Sequence, residues 1–440
     1  MPPSDRPLRI AHLVYRGNPH CGGQGVYTRA LCRELAALGH HVEVLSGPPY
    51  PDLPDGPGDE GLGAPLVVLR RLPSLDLYRP DNPFRLPWPW ELRSLPDVQE
   101  LAIMYGAGYP EPYTFSQRAW KALKTRRDEF DLVHDNQCFG TGVERLLDAG
   151  WPVLSTLHHP ITVDRTLDLA HASNPLRRLG LRRWYGFIDM QLRVAHRLPR
   201  HVTVSESSRR DIVTEMGIPE DRLHVVPVGT DPAVFRPLPL RSRVPGRIMT
   251  TASADVPLKG LAVLLEALAK VRTERPGAEL VVIGRMKPKS TIPALITRLA
   301  LDGAVRFHHG IPTERIVELY AEAEVAAVPS LYEGFSLPAV EAMACGVPVI
   351  CTTGGALPEV VGRDGETGLV VPAGDPSALA DGLLRALADA ALRDRLGAAG
   401  RARVIERFTW HATALATVEQ YRTLLDEHTD PRRERESAPC

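Results

Sequence analysis

Apolar residues recur along this chain in two rhythms. Continuous short runs at Leu8 to Val14, Val42 to Leu45, Phe130 to His134, Pro152 to Leu157, His201 to Val204 and Leu223 to Val228 have the length and composition of buried strands. Leu66 to Leu72 is a further strand candidate. Between the first two runs, Val26, Ala30, Leu31, Leu35 and Leu38 recur at helical spacing until Gly39 ends the helix. Strand, glycine-rich turn, helix, strand predicts the opening of a doubly wound α/β domain. The pattern restarts at Arg247 to Thr251, and Leu261, Leu264, Leu265, Leu268 and Val271 mark the next helix. Strands at Leu280 to Gly284, Val305 to His309, Val325 to Val328, Val347 to Cys351 and Gly368 to Pro372 follow.

This predicts two Rossmann-like α/β domains, 1–236 and 246–407, joined by a proline-containing linker at 237–245. A helix at 408–426 and a polar, disordered tail at 427–440 close the chain. Three stretches break the rhythm. Pro48 to Gly63 is rich in Pro, Gly and Asp and reads as a mobile surface loop. From Ser74 to Tyr113 the pattern is irregular and aromatic, with Trp88, Trp90 and Tyr109 among seven rings. These rings either line a binding pocket or pack an insertion onto its domain. In 174–200, arginines alternate with leucines and aromatics, as in an ordinary helix with a solvated basic face or a segment lying on an anionic membrane surface.

Composition narrows the class. At 440 residues the chain exceeds one ordinary core, and 44% hydrophobic with 24% charged residues is globular. A net charge of -1 argues against a nucleic-acid partner. The six cysteines are scattered without a C-x-x-C pair, which suits reduced thiols in a cytoplasm. The first residues lack the apolar core of a signal peptide, and no run approaches the roughly 18–20 apolar residues of a membrane span.

The most informative stretch is 330–359, SLYEGFSLPAVEAMACGVPVICTTGGALPE. A strand ends before it, Glu333 stands in a loop, and a helix begins near Leu337, where Pro338 in the first turn costs little. The amides of Gly334, Phe335, Ser336 and Leu337 then open at a helix N-terminus, an anion site. Glu341 lies eight positions after Glu333 and leans back toward that end. Amides with two carboxylates suit a phosphorylated sugar: the amides hold the anion and the carboxylates accept from hydroxyls. Lys259 precedes another helix start, beside a second anion-friendly N-terminus. His158 follows a strand end, where ligands of open α/β sheets gather. The loop 16–25 holds Gly22, Gly23 and Gly25 but matches neither a dinucleotide fingerprint nor a P-loop. No D-x-D cluster stands at a strand end.

The 333–341 spacing, the GFS-x-P-x-x-E context and the later Gly354, Gly355 and Glu359 resemble the E-x7-E region of family 4 retaining glycosyltransferases, which have the GT-B fold. The resemblance covers most of the chain and is strongest in its second half. It implies two domains facing across a cleft, a final helix crossing back to the first, and sugar transfer from a UDP- or GDP-sugar to an acceptor hydroxyl with retention and without metal. It implies that Glu333 contacts the sugar, Glu341 the ribose and Lys259 the diphosphate. Backbone near Gly23 would face the phosphates, Ile311 the base, and His158, in the family's T-x-H element, the sugar. The family's arginine before the lysine has no match in Ala252 to Asp255, which leaves Arg285 as the second cation. Acceptor contacts, to a sugar, lipid-linked or small-molecule acceptor, fall to Asn18, His20, Trp88, Tyr109 and His159 of the N-terminal domain. The implied location is the cytoplasm, with a peripheral seat on the inner membrane face if 174–200 is interfacial. A nucleotide-sugar 2-epimerase and a non-catalytic sugar-nucleotide binder are the alternatives; the aromatic insertion argues against the first, and His158, Lys259 and Glu333 together against the second.

Overall fold

The computed structural model describes residues 6–18, 23–54, 66–79, 82–170, 172, 174–252, 256–287 and 289–429. His20 and most of the 48–63 loop lie outside the described residues, as do 253–255 before Lys259 and the tail from 430. The chain divides into two compact units. Met1–Thr203, Arg209–Val226 and Ala414–Cys440 form the first, and Val204–Ser208 and Pro227–Thr413 the second. Residues 237–245 belong to the second unit: Arg241 pairs with Glu318 and Glu322, and the Val244 amide donates to the Glu322 carbonyl.

The first unit carries a parallel seven-stranded sheet. Its strands are β1 (Arg9–Val14), β2 (His41–Ser46), β3 (Val67–Arg71), β4 (Leu132–Asn136), β5 (Val153–Leu157), β6 (Arg200–Thr203) and β7 (Leu223–Val225), in the order β3-β2-β1-β4-β5-β6-β7. The second unit has β8 (Arg247–Thr251), β9 (Glu279–Ile283), β10 (Val305–His308), β11 (Val325–Val328), β12 (Val349–Thr352) and β13 (Leu369–Val371), in the order β10-β9-β8-β11-β12-β13. Strands buried on both faces need continuous apolar runs, which is why the sequence shows no alternation there. Both sheets reverse direction of growth beside their first strand, between β1 and β4 and between β8 and β11. Loops at such a switch point open outside the carboxyl ends of the strands. Arg16, Asn136, Lys259 and Glu333 follow or end the strands that flank these points, and His158 follows the neighbouring β5.

Three elements differ from the sequence reading. The irregular stretch 74–113 contains a helix, Leu95–Tyr105, that faces inward with Asp97 and Glu100 and outward with Leu95 and Val98. Buried Arg118 holds both acids at 2.6 Å, so the polar side is the packed one. The basic segment 174–200 is two helices, Pro175–Trp184 and Phe187–Arg197, interrupted at Tyr185 and Gly186. The last helix, Trp410–Thr429, runs past the expected start of the tail, and Glu427 is held there by Arg200 at 2.6 Å. In the same helix the buried Tyr421 hydroxyl meets His134 Nδ1 at 2.6 Å.

Candidate active site

In the second unit, two loops at the switch point are knitted together. The Leu331 amide donates to the Leu258 carbonyl at 2.8 Å. Gly260 is left-handed at φ 66°, and a Cβ there would lie 1.9 Å from the Pro329 carbonyl oxygen. Only glycine permits that approach. The result places Lys259 Nζ 2.8 and 2.9 Å from the two carboxylate oxygens of Glu333, while the Ser330 hydroxyl donates to the first at 2.7 Å. Gly355, also left-handed, sits so close that a Cβ would meet the Glu333 carbonyl oxygen at 2.2 Å. The loop carrying Glu333 is therefore braced from both sides.

The helix Leu337–Ala344 begins immediately beyond, with Ser336 as its N-cap accepting from the Ala339 amide at 3.4 Å. Gly334 turns its carbonyl toward the hydroxyls of Ser205 and Ser208 at 2.6 and 3.0 Å. The Phe335 ring packs edge-on to Phe408, so this residue offers backbone rather than its ring. Glu341 sits inside the helix with no hydrogen-bond partner among the described residues, and burial pushes its carboxyl up to about 8. One edge of the side chain still reaches solvent. Ile311 lies half-buried against the same core, and Arg285 is exposed just past the end of β9. Among the described residues no group of three or more His, Cys, Asp or Glu is gathered as metal ligands would be.

In the first unit, His158 follows β5 with its ring edge-on to Tyr27 at 4.8 Å and its Nε2 2.8 Å from Asn136 Oδ1. Burial, reinforced by His159 and His12, lowers its pKa to about 3, so the ring is neutral at ordinary pH. Gly23 opens the helix Gly23–Ala37, and a Cβ there would meet nothing within 4 Å. Gly25 is constrained instead, since a Cβ there would strike the Asn18 carbonyl oxygen at 2.0 Å, and at Gly17 a Cβ would lie 2.4 Å from the Pro51 ring.

The expected acceptor residues separate. Tyr109 lines a cavity of about 450 Å³ together with Tyr15, Arg16, Tyr78, Trp184 and Phe187. At its edge Glu111 accepts from Arg16 at 3.0 and 3.1 Å and from the Tyr109 hydroxyl at 2.5 Å. Burial raises Glu111 to about 7 against the opposing pull of Arg16. Trp88 is not part of this lining; it stacks on Trp90 at the surface with ring centroids 4.9 Å apart. His159 is exposed and meets Asp164 at 3.1 Å. Sequence reasoning missed Arg16, Trp184 and Phe187. The last two were counted in the basic segment, where only their rings hinted at a pocket.

Comparison with known proteins names the class. Residues 240–403 match the family model described as glycosyl transferases group 1, and residues 21–234 match glycosyltransferase family 4. An "MMP alpha-(1->4)-mannosyltransferase" of Mycolicibacterium hassiacum is 49% identical over 94% of this chain and 98% of its own. A D-inositol 3-phosphate glycosyltransferase of Acidothermus cellulolyticus is 30% identical, over 96% of this chain and 91% of its own. Among solved structures, the sucrose-phosphate synthase of Thermosynechococcus elongatus superposes with a TM-score of 0.68 at 25% identity, covering 96% of this chain and all of that one. The chain belongs to the family 4 glycosyltransferases, with two Rossmann-like units of the GT-B fold. It is an enzyme that transfers a sugar from a nucleotide sugar to an acceptor.

Proposed function

We propose that this enzyme moves mannose from a nucleoside diphosphate sugar to a sugar hydroxyl, with retention and without a metal cofactor. The Lys259–Glu333–Ser330 cluster at the switch point carries the reading: it sets one cation and one carboxylate side by side, as a diphosphate joined to a polyhydroxyl ring requires. Lys259, the amides of Gly334, Phe335, Ser336 and Leu337, and that of Gly23 hold the diphosphate, with Arg285 as a second cation. Glu333 and His158 contact the sugar, Glu341 the ribose, and Ile311 the base. Mannose follows from the name of the 49% identical relative. The α linkage in that name supports retention, because common nucleotide-mannose donors are themselves α-linked.

The step is a front-face exchange. The acceptor oxygen bonds to the anomeric carbon as the bond from that carbon to the diphosphate oxygen breaks, and the acceptor proton passes to the departing phosphate. The aromatic cavity around Tyr109 takes the acceptor, with Asn18, Trp88 and His159 as outer contacts. Most donor contacts then fall in 246–407, with Gly23 and His158 contributed by 1–236, and the acceptor contacts fall in 1–236.

A donor panel in chelator is the first test: one of the UDP-, GDP-, ADP- and dTDP-sugars should raise the melting temperature without metal. Stabilisation that appears only with a divalent ion would overturn the metal-free reading. Glu333→Gln should lower turnover by about 100-fold while nucleotide affinity stays within about threefold. Equal turnover in that variant would remove Glu333 from the sugar.

The enzyme acts in the cytoplasm and touches the inner membrane face through 174–200. The helix Pro175–Trp184 buries none of its residues and exposes Leu176 and Leu179; its Arg177, Arg178, Arg182 and Arg183 make no ion pair among the described residues. That combination fits an anionic lipid surface. Among the described residues no helix is long and apolar enough to cross a membrane. Vesicles of anionic lipid should sediment the wild-type protein and not a variant with these four arginines changed to Gln. Equal sedimentation of both would refute the contact.

A further inference from the structure

The loop that follows β4 is built with more constraint than a connection requires. Gln137 and Phe139 hold left-handed backbone at φ 54° and 48°, which non-glycine residues adopt at a cost of about 1–3 kcal/mol each. The buried Asp135 carboxylate fixes the turn by accepting from the Cys138 and Phe139 amides at 3.2 and 2.9 Å. Gln191 Nε2 donates to the Cys138 carbonyl at 3.0 Å from the helix Phe187–Arg197. The amide side chains of Asn136, which ends β4, and Gln137 are both buried, and both engage His158.

Hydrogen-bond accounting then fixes the ring. Asn136 Nδ2 lies 3.4 Å from the Gln24 carbonyl and 3.1 Å from Thr28 Oγ1. A carbonyl can only accept, so the amide nitrogen faces Gln24 and the amide oxygen must face His158. That oxygen carries no proton. His158 Nε2, at 2.8 Å, is therefore the donor, and the ring proton sits on Nε2. The other nitrogen, Nδ1, keeps its lone pair and has no partner among the described residues. Gln137 straps the adjoining backbone: its Oε1 accepts from the His158 amide at 2.8 Å, and its Nε2 donates to the His159 carbonyl at 2.9 Å.

We propose that Asn136 and Gln137 are positioning residues that hold His158 neutral, protonated on Nε2, and aimed so that its Nδ1 accepts a hydrogen bond from a hydroxyl of the donor sugar. The inference rests on the reading that His158 contacts that sugar. An acceptor-only nitrogen welcomes a hydroxyl and refuses a phosphate or carboxylate oxygen, so it separates the sugar end of the donor from its anionic end. The titratable groups facing the ring are His12 on β1, His134 on β4, Tyr27 on the helix Gly23–Ala37, and His159 beside it. None is an acid that would stabilise an imidazolium.

Nitrogen-15 NMR of histidine-labelled wild-type enzyme, with His158→Gln to assign the signal, reads the tautomer directly. A neutral ring protonated on Nε2 from about pH 6 to pH 8 is the expected result, and a proton on Nδ1 or an imidazolium overturns the proposal. Asn136→Asp keeps an acceptor at Nε2 but sets a negative charge beside it, which raises the His158 pKa. As pH falls, that variant should lose turnover by about tenfold between pH 8 and pH 6 relative to wild type, with nucleotide affinity unchanged. A profile parallel to wild type contradicts the proposal. Gln137→Gly keeps the left-handed backbone but removes the strap; it should lower kcat by about tenfold without changing the melting temperature in proportion. Full activity would strip Gln137 of its role. If His158→Ala retained wild-type turnover, the sugar contact itself would fail, whatever the tautomer measured in the wild type.

Discussion

Glu341 is the residue whose chemistry is least settled by its own protein neighbours. It is a carboxyl in an apolar setting, raised to about 8 by burial, without a hydrogen-bond partner among the described residues. Its pKa lies above that of an unfolded glutamate, near 4.3. Between those values the folded chain holds a proton that the unfolded chain has released. Stability from this group is therefore lost as pH rises through that window, and the full penalty remains above about 8. A ribose that donates two hydroxyls would relieve the strain by hydrogen-bonding the ionised form. Glu341→Gln should accordingly weaken binding of the free nucleotide by about tenfold, and raise the alkaline melting temperature relative to wild type. Isothermal titration and a melt at two pH values check both effects. Unchanged nucleotide affinity would take Glu341 away from the ribose.

At the scale of elements, the loops that carry Lys259 and Glu333 depend on backbone contacts that no side chain can adjust. Gly260 joins the short turn Pro257–Lys259 to the helix Leu261–Glu274 and lies against the carbonyl of Pro329, the first residue after β11. Gly260→Ala should cost at least about 2 kcal/mol and weaken donor binding as Lys259 moves off Glu333. Gly277→Ala, where a Cβ meets nothing within 4 Å, is the control and should be nearly neutral. Denaturant titration separates the two variants, and equal stability would show that the loops yield. This scale also explains what the sequence could and could not disclose. The central strands were legible because β4, β5, β11 and β12 are buried on both faces and read as apolar runs. The candidate site at 333–341 stood out in the sequence because its groups lie within one short stretch. The helix Leu95–Tyr105 was not legible, because its fully packed residues are Asp97 and Glu100 against Arg118 while Leu95, Val98 and Tyr105 look outward. Pattern reading assumes the reverse. The aromatic cavity was hidden for another reason: Arg16, Tyr109 and Trp184 come from three distant segments, and no local spacing joins them.

For the whole molecule, chain order and spatial order disagree. The first unit owns both ends of the chain, with the second inserted between them, and its final helix supplies Tyr421 to a histidine of β4. These two partners are 287 residues apart in sequence. At ribosomal speeds of about 5–20 residues per second, His134 emerges roughly 15 to 60 s before Tyr421 has been made. During that interval the growing polypeptide can finish its second unit while the first still lacks a wall. The nascent first unit is thus the part of the enzyme most in need of a chaperone, and a stop codon a few dozen residues early would release it permanently unsealed.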